Sequence, residues 1–167
     1  MSDSIVNKVA SSGLITFNLE EYYTPGKRLV FDMKDYLFQG LILKEKDFRE
    51  FVKNENWNKY SDSFVAITCS ADAIVPTWAY MLVASAMQPF ARKIIFGNIE
   101  ALETSLFMEV LSKINYDQFL DARVVIKGCS NLPVPTAAYL ELMNRLRPIT
   151  KSLMFGEPCS TVPLFKK

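Results

Sequence analysis

The chain has 167 residues and a mass of 19.0 kDa, with 19 Lys and Arg against 18 Asp and Glu and a net charge of +1. That balance supplies no bulk attraction for nucleic acid or an anionic membrane. The absence of histidine excludes Ser-His-Asp and Cys-His catalysis, zinc-protease helix motifs and every imidazole metal site. Half the residues are apolar and 22% are charged, which describes a filled globular interior at a length suited to a single domain.

Residues 1–17 contain Asp3 and Lys8 and no long apolar run, so the start reads as something other than a secretory signal, and the expected location is the cytoplasm. Leu14 to Leu19 alternates apolar and polar, Thr24-Pro25-Gly26-Lys27 is a turn, and Arg28 to Met33 is a second extended run. Together they predict a β-hairpin within residues 1–43, placed on or over a sheet edge.

From there the chain repeats itself. A shift of 59 residues aligns Phe48–Gly97 with Phe107–Gly156 without a gap and with 14 identical pairs, among them Asp62/Asp121, Phe96/Phe155 and the whole of V-P-T-x-A-Y. Each copy reads helix, strand, loop, helix, strand. The strands are Phe64–Thr68 and Arg92–Phe96 in the first copy, Arg123–Lys127 and Lys151–Phe155 in the second. Helix Thr136–Arg147 has one apolar stripe opposite Glu141, Asn144, Arg145 and Arg147. Its twin, Thr77–Gln88, is apolar all round, which predicts cover on both faces, from the N-terminal segment or from a second subunit. It lies in an uncharged stretch, but only 12 residues separate Pro76 from Pro89, too few to span a bilayer. Single helices between strands demand parallel pairing. The expected fold is therefore α/β, with internally duplicated helix-strand-helix-strand units forming a mainly parallel sheet with helices on its faces, plus the N-terminal β-hairpin and a Cys-containing tail, residues 157–167.

Ligands of parallel sheets bind beyond the carboxyl ends of the strands, and all three cysteines fall there. Cys69 follows the strand ending at Thr68, Cys129 the one ending at Lys127, and Cys159 lies four residues beyond Phe155. Each is followed by serine and then by Val-Pro. Three thiolates suit zinc, or an iron-sulfur cluster with one open position, and Asp72 and Glu157 are the nearby candidates for a fourth ligand. The spacing matches no standard metal motif, so reactive thiols without metal and inert buried cysteines stand as alternatives. The two Pro-Thr helix starts direct free backbone amides at the same end. Thr77, Thr136, Ser70 and Ser130 are the candidate anion-binding residues there, with plain capping as the alternative. No Gly-rich phosphate loop is present.

T-C-S-A-D-A-I-V-P-T-W-A-Y (68–80), K-G-C-S-N-L-P-V-P-T-A-A-Y (127–139), G-E-P-C-S-T-V-P-L (156–164) and G-L-I-L-K-E-K-D-F-R-E-F-V-K (40–53) resemble the bacterial family called domain of unknown function 2480. The resemblance runs from Ile5 onward and carries no established activity. It implies members mainly in Bacteroidetes, with relatives encoded near iron-sulfur assembly genes, and so adds iron-sulfur assembly proteins to the expected partners. Three functions compete on these grounds. The first is a carrier holding a metal or cluster through Cys69, Cys129 and Cys159. The second is a small thiol-dependent enzyme on an anionic substrate, which without histidine needs Asp72, Glu157, a tyrosine or solvent as base. The third is a homodimeric structural adaptor joined through the apolar helix.

Overall fold

The structure is a computed structural model, and it describes residues 13–128, 131–157 and 159–167. Seven strands and four α-helices are described: β1 (Leu14–Phe17), β2 (Lys27–Asp32), α1 (Glu45–Asn54), β3 (Ser63–Thr68), α2 (Thr77–Met87), β4 (Lys93–Phe96), α3 (Ile99–Ser112), β5 (Arg123–Ile126), α4 (Thr136–Leu146), β6 (Ser152–Glu157) and β7 (Ser160–Lys166). The duplicated order of helix, strand, helix, strand is present in both copies, with strand ends within two residues of those read from the sequence.

The single sheet divides in two, β1-β5-β6-β7 and β2-β3-β4. The described residues likewise form two compact units, one of residues 25–105 and one that joins residues 13–24 to those from Leu106 onward. Each copy thus has its own sheet, parallel throughout except for β7, which returns antiparallel to β6. In each sheet the strand flanked by two parallel neighbours is a continuous apolar run, Phe64-Val65-Ala66-Ile67 in β3 and Val124-Val125-Ile126 in β5, because both of its faces are buried.

The N-terminal strands exist but form no hairpin. β1 pairs in parallel with β5, and β2 in parallel with β3. An isolated two-stranded hairpin buries little, whereas parallel addition carries Phe17 and Leu19 into one core and Phe31 and Met33 into the other. The registers place Phe17 beside Ile126 and Phe31 beside Ile67, two positions that are themselves repeat partners. The duplication therefore reaches back into F-N-L-E-E-Y and F-D-M-K-D-Y. In each segment an Asn18 or Asp32 side chain caps a single 3-10 turn, and the tyrosine that closes the segment stacks on the phenylalanine, at 5.0 Å for Phe17–Tyr22 and 4.9 Å for Phe31–Tyr36.

Backbone conformation repeats as well. Asp62 and Asp121 both adopt left-handed φ, 54° and 52°, in the tight turn before each central strand, where their N–H groups donate to Phe90 and Ile149 carbonyls. Gly97, directly after β4, and its repeat partner Gly156, near the end of β6, have φ of 135° and 124°, a region that side chains avoid. The unit of residues 25–105 also holds an ion pair with little water around it. The Arg28 guanidinium donates to both Glu103 oxygens at 2.7 and 3.1 Å and lies over the Phe64 ring. Among the described residues, no helix is long and apolar enough to cross a membrane.

Candidate functional site

In the β2-β3-β4 sheet, polar groups gather at the carboxyl end because parallel strands deliver their following loops there. β2 ends in Asp32, and β3 hands over to Cys69 and Ser70. The Asp32 carboxylate accepts the Ser70 hydroxyl at 2.6 Å, the Ser70 N–H at 3.0 Å and the Lys34 N–H at 3.0 Å. Partial burial pushes this carboxyl up, but those hydrogen bonds and the Lys34 ammonium outweigh it and hold the group below its ordinary range. Cys69 is half-buried, its thiol directed at the Ala71 carbonyl at 3.7 Å. Tyr80, in the first turn of α2, has its phenol pushed up by burial and then by the charges of Cys69 and Asp32.

Beside this rim lies an apolar groove of about 420 Å³ between α2 and the open side of the sheet. Its walls are Thr77, Tyr80, Met81 and Ala84 from the helix and Ile94, Ile95 and Phe96 from β4, with Ile67 at its floor. The Tyr80 ring meets Phe96 edge-on at 5.2 Å, as Tyr139 meets Phe155 at 5.8 Å in the other copy. Both tyrosines are thus packing residues against the last strand.

The two copies differ in how that strand is covered. In one, β7 pairs along β6, with Val162 opposite Phe155 and Phe165 opposite Leu153; Phe155 is half-buried and Leu153 fully buried. In the other, β4 pairs with β3 alone among the described residues, and Phe96 is 72% exposed. Helix α2 differs from its twin in polarity and not in cover, since Met81 and its counterpart Leu140 are 66% and 62% exposed. Leu82 and Ala86 stand where α4 has Glu141 and Arg145, which pair at 2.7 Å. Ala79, Val83 and Met87 are buried against the core, whereas Met81 is 66% exposed. The all-round apolar helix is covered by the sheet and by α1, where Trp78 meets Phe48 edge-on at 6.2 Å; its limits lie within one residue of those read from the sequence, and nothing from residues 13–43 hides Met81.

The expected site residues fall as follows. Cys69 belongs to the unit of residues 25–105 and the exposed Cys159 to the other, while Cys129 and Ser130 lie outside the described residues. Asp72 is exposed in the loop after β3, and Glu157 ends β6 opposite Ser160. Among the described residues no group of three or more Cys, Asp or Glu side chains could hold a metal ion. Ser70 is bonded to Asp32. Thr77 and Thr136 are the first helical residues, Pro76 and Pro135 occupy the cap positions, and neither helix start has a side-chain cap. The loop after β5 is anchored instead by Glu20, whose carboxylate accepts the N–H groups of Asn131 and, at 2.9 Å, Leu132. Asp32 and Glu20 were missed in the sequence because the only signal for them is a six-residue echo at a shift of 14.

The family model described as protein of unknown function (DUF2480) matches residues 3–167, and the chain belongs to that family. No curated protein and no solved structure gives a match.

Proposed function

We propose that this member of the DUF2480 family is an association module that works by accepting an extended strand along β4, with α2 as the apolar wall of the docking face. The observation that carries this reading is the difference between the two copies: Phe96 is 72% exposed where its counterpart Phe155 is covered by an antiparallel strand. Strand addition uses backbone hydrogen bonds for affinity and side-chain pockets for selection, and the groove beside Phe96 is such a pocket. A synthetic peptide of residues 160–166, S-T-V-P-L-F-K, is the probe the fold itself supplies. Titrated to millimolar concentration, it should shift the amide resonances of Ile94 to Gly97 and of Met81 to Ser85. Spectra that do not move, or that move only elsewhere, would overturn the reading.

A second proposal concerns the thiols. Cys69 and Cys159 are free thiols, Cys69 directly after β3 and Cys159 two residues beyond β6, which supports ligation of zinc or an iron-sulfur cluster by the cysteines, with iron-sulfur assembly proteins as partners. Elemental analysis and an absorption spectrum of protein purified without oxygen test it. Less than about 0.1 metal per chain, unchanged by Cys69→Ser or Cys159→Ser, would discard it.

A further inference from the structure

We infer that the strand accepted by β4 is β4 of a second copy of this chain, so that two three-stranded sheets join edge to edge about a two-fold axis. This rests on the docking reading above and adds the identity of the partner. In the other copy, the strand that covers the matching edge runs antiparallel, and two identical strands related by a two-fold axis perpendicular to the sheet are antiparallel by symmetry. A pairing centred on Ile95 sets Ile95 against its own image. Phe96 of each copy then faces Ile94 of the other, on the side of the sheet where α2 lies.

Charge argues for the same partner. Helix α2 and β4 together carry one charged side chain, Lys93. Apart from Arg92 and Lys93 at one end of the strand, the face carries no charges with which to select a different protein, and an equally apolar face complements it. Where the helix passes beside the strand, Ala84 and Ser85 border a shallow hollow with Ile94, and residues this small let the two α2 helices approach closely. Edge chemistry separates this edge from that of β7. The latter holds Pro163 and ends in Lys166 and Lys167, features that obstruct further pairing, whereas β4 has no proline.

Sedimentation equilibrium and light scattering on the full chain decide the matter. The expected mass at tens of micromolar is twice 19.0 kDa. Phe96→Asp and Met81→Lys, both at exposed positions and checked for unchanged circular dichroism, should each weaken the dimer at least about tenfold. Leu140→Lys, at the matching position on α4, should leave it intact. A monomeric wild type whose β4 resonances still respond to the 160–166 peptide overturns the two-fold pairing and leaves strand docking standing. A monomeric wild type indifferent to the peptide overturns both. A dimer unaffected by Phe96→Asp and Met81→Lys places the contact elsewhere and refutes this inference.

Discussion

Tyr60 is buried between Trp57 and Phe31, and its phenol is pushed up to about 12, first by burial and then by the charges of Tyr36 and Glu55. An unfolded tyrosine ionises near pH 10. Between about pH 10 and 12 the unfolded chain gives up the proton first, so folding stability is intact below that window and falls as pH rises through it. Tyr60→Phe should flatten this alkaline decline by roughly 2 kcal/mol, read from urea midpoints at stepped pH; an unchanged slope would show the phenol to be in water. Asp32 has the opposite sign. Its folded value lies below the ordinary one despite partial burial, because Ser70 and Lys34 bond the ionised form. The stabilisation is present above about pH 4 and disappears as pH falls through the folded value. Asp32→Asn keeps the turn cap, as Asn18 does in the other copy, so its neutral-pH loss should be about 1 kcal/mol. Its acid limb should be shallower than wild type, and an identical limb would remove Asp32 from the acid response.

At the scale of the element, the starts of α2 and α4 were candidates for threonine caps, but the cap residues are Pro76 and Pro135, both in extended conformation. A helix begun this way leaves Thr77 and Thr136 exposed, with no side-chain hydrogen bond to a free amide. A true Ser or Thr cap is worth about 0.5–2 kcal/mol. Thr77→Ala and Thr136→Ala should therefore each shift thermal unfolding by less than about 0.5 kcal/mol. A larger loss at either position would mean that its hydroxyl caps after all. The strand β7 is the complementary case: Val-Pro-Leu reads as irregular, since proline interrupts a ladder, yet as an edge strand it needs bonds on one side only.

For the molecule as a whole, two cores replace the single one that length suggested. Leu142 and Leu146 of α4 pack with Phe17, Val124 and Leu153, while Val83 and Met87 of α2 pack with Phe31, Val65 and Trp57. Leu142→Ala should cost about 2–5 kcal/mol. Native-state hydrogen exchange should place most of that loss in β1, β5 and β6. Equal acceleration in β2, β3 and β4 would show that the two cores unfold as one unit. An intact β2-β3-β4 sheet in this variant would also keep its β4 edge competent for pairing.

The α/β class, the parallel pairing and the equal lengths of the two copies were determined by the sequence alone. Each follows from local information: apolar runs too short for helices, one helix between successive strands, and prolines kept in step at 76 and 135. Tertiary structure decided which strands share a sheet. Pairing between β1 and β5, more than a hundred residues apart, depends on which edge buries Phe17 and Leu19 best, and local pattern does not encode that choice. The same holds for the docking face. An apolar α2 predicts cover on both faces, but only the contrast between the covered edge of β6 and the open edge of β4 singles out the face proposed for docking, because exposure belongs to the assembled sheet and not to any residue within it.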